Sequence, residues 1–222
     1  MKKPKVEKND VDNAVTATLK KHPEVIRKIP AGTDLHRKQP SKYDSSPVNY
    51  KADSDTRYAD PDQKIGVFYV GLSPEVAIAE SFQSGQGVDN QAVPFSALQH
   101  GSLHLLSAAR DLRVVDVAQL ANLATGQKLR DLVQAKGQGR EGYAATRNLS
   151  GACMRADEEI DGLLYPSAVY TVTGDLSGCN LVLFAGRGTQ VEAVSYQPVL
   201  ETVFANGQTT LQFLNDLGVT LE

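Results

Sequence analysis

The sequence predicts an α+β domain. Strand-like runs arrive singly and in pairs among helical stretches, and do not alternate with them in the regular order of a doubly wound parallel sheet. At 222 residues, 41% hydrophobic and 22% charged, the chain can bury one core, so a single main domain is expected. No internal repeat is present.

In chain order, residues 1–28 carry eight basic against four acidic side chains and read as a basic arm preceding a domain over 29–222. Val11, Ala14, Val15, Ala17 and Leu19 could line a short amphipathic helix there, but a mobile or partner-docked tail is the preferred expectation. Ile29–Arg37 reads as a Pro-Ala-Gly turn followed by a short strand ending at Arg37, and the polar, proline-bearing stretch 38–64 as a long loop. Ile65–Gly71 is β-branched and aromatic, hence a strand. Ser73 as N-cap, Pro74 at the first helical position and Glu75 in the first turn then open a helix through Phe82. Leu103–Leu106 and Leu112–Val117 are expected strands, Ala118–Ala124 and Gln127–Ala135 helices, Gly137–Arg140 a turn and Tyr143–Met154 another helix. Gly162–Tyr165, Ala168–Val172 and Asn180–Phe184 complete the strands, and Thr209–Leu217 closes the chain as an amphipathic helix.

Composition removes several classes of function. A net charge of −3 gives no global electropositive field, so direct nucleic-acid binding is not expected, and no apolar run is long enough to span a bilayer. Lys2, Lys3 and Lys5 are followed by Val6-Glu7-Lys8-Asn9-Asp10 and not by an apolar segment, so a Sec-type signal is not expected. Cys153 and Cys179 are the only cysteines; they make neither a disulfide framework nor a zinc quartet, which fits a reducing cytoplasm. His22, His36, His100 and His104 lack metal-ligand spacing, and no metal is expected. There is no Walker loop, Gly-x-Gly-x-x-Gly or His-Glu-x-x-His.

Glu80 is the most informative position. Its helix, Val76–Phe82, is apolar on nearly every side, so the carboxylate lies against packed surface and needs a partner or a ligand, unless it sits at the edge of the stripe as a surface Glu. Arg37 and Arg57 occupy loop-like surroundings, and Arg suits bidentate phosphate binding, although each alone also reads as a surface Arg. Ser167 follows Tyr165-Pro166 without a Gly-x-Ser-x-Gly elbow, which argues against a hydrolase nucleophile.

Taken in order, these residues resemble the RES-domain family, named for an Arg, a Glu and a Ser. The resemblance runs from Thr33 to Phe184: Arg37 after Leu35-His36, then Arg57, then Gly66-Val67-Phe68-Tyr69 leading into Ala77-Ile78-Ala79-Glu80-Ser81-Phe82, then Asp161-Gly162-Leu163-Leu164-Tyr165-Pro166-Ser167 before Asn180–Phe184. It departs from the family in the long separation between Glu80 and Ser167, and in His36, where an aromatic residue is usual. The resemblance implies an ADP-ribosyltransferase-like fold of mixed, mostly antiparallel sheets flanked by helices. It implies a cleft for NAD, as substrate, lined by Arg37, Arg57, Tyr69, Glu80 and Ser167, with Glu80, Arg37 and Ser167 in catalysis and Arg37, Arg57, Tyr69 and Ser167 in NAD binding. It also implies a toxin neutralised by an Xre-like antitoxin. Three activities follow as alternatives: NAD cleavage with water or phosphate as acceptor, mono-ADP-ribosylation of a protein, or binding without turnover.

Overall fold

A computed structural model describes residues 8–83, 92–126, 142–170, 172 and 174–222. Its strands are β1 (Ile26–Ile29), β2 (Asp34–Pro40), β3 (Val67–Gly71), β4 (Gly101–Ala108), β5 (Leu112–Asp116), β6 (Gly162–Pro166), β7 (Cys179–Phe184) and β8 (Val191–Pro198). They form one sheet in the order β1-β5-β6-β7-β3-β2-β4-β8. All neighbours are antiparallel except β5 and β6. Among the described residues the helices are α1 (Lys8–Lys21), α2 (Pro74–Gln83), α3 (Ser96–Gln99), α4 (Val117–Thr125), α5 (Ala144–Ala156) and α6 (Thr210–Asp216). The α+β expectation holds.

The central strands are apolar on both faces because both are covered. Val115, Leu163, Val182 and Phe184 point to one side, where they pack with α1, α4 and α5 through Val15, Leu120, Leu149 and Cys153. Their neighbours Val114, Leu164, Leu181 and Leu183 point to the other, against Leu35, Phe68, Val70 and Leu106. A third cluster joins α2, α3 and α6 to β4 through Ile78, Phe82, Leu98, Leu103 and Phe213. Gly162 is where β6 comes closest to β7: a Cβ there would lie 2.0 Å from the Val182 carbonyl oxygen. That contact explains why glycine opens β6.

Local chemistry fixes the expected helix starts. Ser73 Oγ accepts the Val76 N–H at 3.2 Å and donates to the Ser177 carbonyl at 2.7 Å, capping α2 and tying it to the chain before β7. Thr209 and Gln212 form a reciprocal capping box at the start of α6.

Several expectations are corrected. The 1–28 arm is not a loose tail over its described part: α1 packs on α4 and α5 through buried Val15 and Leu19. Arg155 of α5 donates to both oxygens of Asp12, at 3.0 and 2.7 Å. The division at 28/29 cuts through β1, which pairs with β5 from Ile26↔Val115 to Ile29↔Leu112. Ala168–Val172 was expected as a strand, yet residues 168–170 are bends. Ser167 Oγ accepts the N–H groups of Val169 (3.2 Å) and Tyr170 (3.0 Å), which turns the chain just after β6. The expected loop from 38 starts later, since β2 runs to Pro40. β8 was not anticipated. The helix expected over 127–135 and the turn over 137–140 lie outside the described residues.

Candidate active site

The sheet parts between β2 and β3. β2 is laddered to β4 from Asp34 to Pro40, but it meets β3 only at His36↔Gly71. A cavity of about 520 Å³ opens there, with walls from β2, β3, α2, the 55–57 loop, Tyr143, Tyr165 and Asn180.

Its floor is a row of directly paired residues. Tyr165 of β6 lies opposite Asn180 of β7, Asn180 opposite Gly71 of β3, and Gly71 opposite His36 of β2. Residues paired in this way point to the same face. The bare position in the row matters, because a Cβ on Gly71 would stand 2.9 Å from the Ala77 backbone nitrogen and 3.0 Å from the Ser73 carbonyl oxygen. Glycine lets the first turn of α2 lie against the sheet, and the next turn then delivers Glu80 over the row.

Glu80 is held by two donors on one oxygen. Ser167 Oγ–H donates to Oε1 at 2.7 Å and Asn180 Nδ2 donates to the same atom at 3.1 Å. Ser167 and Asn180 are both buried. Among the described residues Oε2 receives no hydrogen bond, so one carboxylate oxygen is fixed and the other is not, and Glu80 lines the cleft. Ser167 is fully committed: it donates to Glu80 and accepts two backbone N–H groups, which leaves no proton to abstract for nucleophilic attack.

The cations line the walls. Arg37 Nη1 donates to the Tyr69 carbonyl at 3.1 Å, spanning the parting, and its guanidinium lies 4.6 Å from the centre of the Phe68 ring. Arg57 lies 5.6 Å from the centre of the Tyr143 ring, at the start of α5. The Nε atoms of Arg37 and Arg57 are buried without a hydrogen-bond partner, as are those of Arg147 and Arg187, which do not line the cleft. Burial pulls the Arg37 and Lys38 pKa values down from their ordinary values. His36 is likewise lowered by burial, with Asp34 opposing.

The structure therefore brings Arg37, Arg57, Tyr69, Glu80 and Ser167 to one cleft or its immediate support, from five separate stretches of chain. Sequence reasoning missed Asn180, which registered only as the head of an apolar strand; a buried amide in such a run was the available signal. It also missed Thr56 and Tyr143, whose roles rest on distant contacts. Among the described residues no group of three or more His, Cys, Asp or Glu side chains could hold a metal ion, and no helix is long and apolar enough to cross a membrane.

A mixed, mostly antiparallel sheet parted over an Arg, Glu and Ser cluster defines the class. The chain belongs to the RES-domain family, whose RES domain matches residues 34–205. The match extends beyond Phe184 to take in β8. No curated protein matches the chain by sequence. Among solved structures, the fold is similar to a chain of the crystal structure of the M. tuberculosis MbcT-MbcA toxin-antitoxin complex, with a TM-score of 0.58 and 17% identity. That alignment covers 92% of this chain and 97% of the other.

Proposed function

We propose that this RES-domain protein is a toxin that consumes NAD by cleaving its nicotinamide–ribose bond, and that an Xre-like antitoxin neutralises it. The observation that carries the reading is the placing of Glu80, anchored through Oε1, together with Arg37 and Arg57 in the lining of one cleft. Family membership and the likeness in fold to a chain from a toxin–antitoxin complex support the biological role.

The chemistry suits these residue types. The nicotinamide ring of NAD is already cationic, so it departs without a general acid. The bond from C1′ of the ribose to the ring nitrogen breaks, and its electron pair passes to that nitrogen, leaving nicotinamide neutral and the sugar with oxocarbenium character. A fixed carboxylate stabilises that developing positive charge. Water or inorganic phosphate then forms the new bond to C1′, and any proton it carries is released to solvent. Arg37 and Arg57 bind the pyrophosphate through charge-assisted hydrogen bonds and hold the reacting bond at Glu80. Ser167 and Asn180 act on Glu80 itself, holding it in place through Oε1.

The test is incubation of purified protein with NAD, with and without phosphate, followed by chromatography. Free nicotinamide with ADP-ribose or its 1-phosphate is expected. Intact NAD after prolonged incubation with folded protein would overturn the reading, and nicotinamide release only when a protein acceptor is supplied would replace it with protein ADP-ribosylation.

A further inference from the structure

Tyr69 lines the cleft beside Glu80, where a contact with the substrate would be the simple assignment. Its hydroxyl, however, is engaged on both sides. It donates to Thr56 Oγ1 at 2.8 Å and accepts the Tyr58 backbone N–H at 3.0 Å. Arg57 stands between those two partners. The Tyr69 carbonyl meanwhile accepts Arg37 Nη1 at 3.1 Å.

We propose that Tyr69 is a positioning residue that sets both cleft arginines, Arg57 through its hydroxyl and Arg37 through its carbonyl, and makes no hydrogen bond to the substrate. This rests on the reading of Arg37 and Arg57 as ligands of the pyrophosphate.

The rest of the loop shows why the brace matters. From Thr56 the chain of bonds continues to Ser54, with Thr56 Oγ1 and Ser54 Oγ 2.8 Å apart and the Thr56 N–H donating to Ser54 Oγ at 3.3 Å. On the far side of Arg57, Tyr58 is buried, and its carbonyl accepts Ser150 Oγ–H at 2.7 Å. Before Arg57, Ser54 is buried but Asp55 and Thr56 are exposed. The Tyr69 hydroxyl joins Thr56 to the sheet beside Arg57, adding to the Lys51–Val67 pairing further back and the Asp55–Arg147 contact at 3.6 Å. Burial pushes the phenol up to about 12, so the proton donated to Thr56 stays in place at neutral pH. A guanidinium held before the ligand arrives loses less freedom on binding, and release of the strap should cost affinity.

The experiment is a double-mutant cycle on the full chain, reading NAD affinity by calorimetry and nicotinamide release for kcat and KM. Tyr69→Phe, which keeps the ring and removes the two hydroxyl bonds, should weaken NAD binding about tenfold, the loss of roughly one hydrogen bond's net worth, with the effect on KM far exceeding that on kcat. Thr56→Val, which preserves shape and removes one of the same bonds, should move in the same direction. In an Arg57→Ala background, Tyr69→Phe should add little, because the residue it positions is gone. Full additivity of the two substitutions, or a Tyr69→Phe loss that falls on kcat, would overturn the proposal in favour of a direct contact at the reacting end. If Arg57→Ala itself leaves NAD affinity untouched, the pyrophosphate reading is what has failed, and hydrogen exchange at the Tyr58 amide then decides the brace. Faster exchange in Tyr69→Phe supports it, and unchanged exchange refutes it.

Discussion

Replacing Glu80 with Gln removes one negative charge from the cleft and little else. Gln has nearly the same volume, and its amide oxygen can take the place of Oε1, accepting from Ser167 Oγ and Asn180 Nδ2 at the observed 2.7 and 3.1 Å. Those two bonds lose their charge assistance, from about 1.5–3 kcal/mol each toward the about 0.5–1.5 kcal/mol of neutral pairs. The loss in stability is therefore about 2–3 kcal/mol before solvent screening at this partly exposed site, which reduces it. A chain of this size should melt at most about 4–12 °C lower. Turnover is affected differently. The charge that stabilised the oxocarbenium-like sugar is gone, and loss of one preorganised electrostatic contact costs about 2.7–4 kcal/mol of barrier, or about a hundred- to a thousandfold in kcat. NAD should still bind, since the arginines are untouched. The assay pairs nicotinamide release at saturating NAD with calorimetric binding and a thermal melt on the same preparation. A folded Gln variant that releases nicotinamide at the parent rate would refute the reasoning, because Glu80 would then serve only to hold Ser167 and Asn180 in place.

Arg37→Ala and Arg57→Ala should each weaken NAD binding by about ten- to a hundredfold, the about 1.5–3 kcal/mol of a charge-assisted contact; unchanged calorimetric affinity in both removes the pyrophosphate assignment. Burial keeps the pKa of His36 below its unfolded value of about 6.5. As pH falls below that value the unfolded chain takes up a proton that the fold resists, so stability rises with pH through this window, and His36→Phe should flatten the melting-temperature slope between about pH 5 and 7. An equal slope in the variant would mean that His36 does not contribute. Production of the intact chain alone should arrest growth and deplete cellular NAD, and co-production with the antitoxin should restore both; normal growth and NAD levels with abundant soluble protein count against the toxin role.

What was legible in the sequence follows from how local each signal is. α2 could be placed because Ser73 and Pro74 mark its start within the helix's own residues, and its apolar composition implied that Glu80 would be sheltered. The 87 positions between Glu80 and Ser167 hide their 2.7 Å contact from any pattern, and only the ordered resemblance to a family joined them. α1 was misjudged because what orders it is remote: Asp12 is held by Arg155, 143 positions away. Ala168–Val172 has the composition of a strand, but a single hydroxyl from Ser167 captures the N–H groups of Val169 and Tyr170. β8 lacks clean alternation because its register against β4 shifts between Leu105 and Leu106, and nearly all of it is exposed.

The place of the site in the fold has a physical reason. Inside a sheet covered on both faces, a charged side chain has nowhere to go, since ladder bonds occupy the backbone and apolar packing occupies the space. The exception is where a ladder stops. β2 follows β4 along its whole length, but on its other edge its pairing with β3 is confined to His36↔Gly71. The next residue, Arg37, is the first whose side chain can cross the gap, and it does so to the Tyr69 carbonyl. Across the same gap Asn180 continues the row from a covered strand, polar yet satisfied by Glu80. The parting thus supplies shelter from bulk water together with an opening, and it is there that one carboxylate, Glu80, and two guanidinium groups, Arg37 and Arg57, line a common cleft.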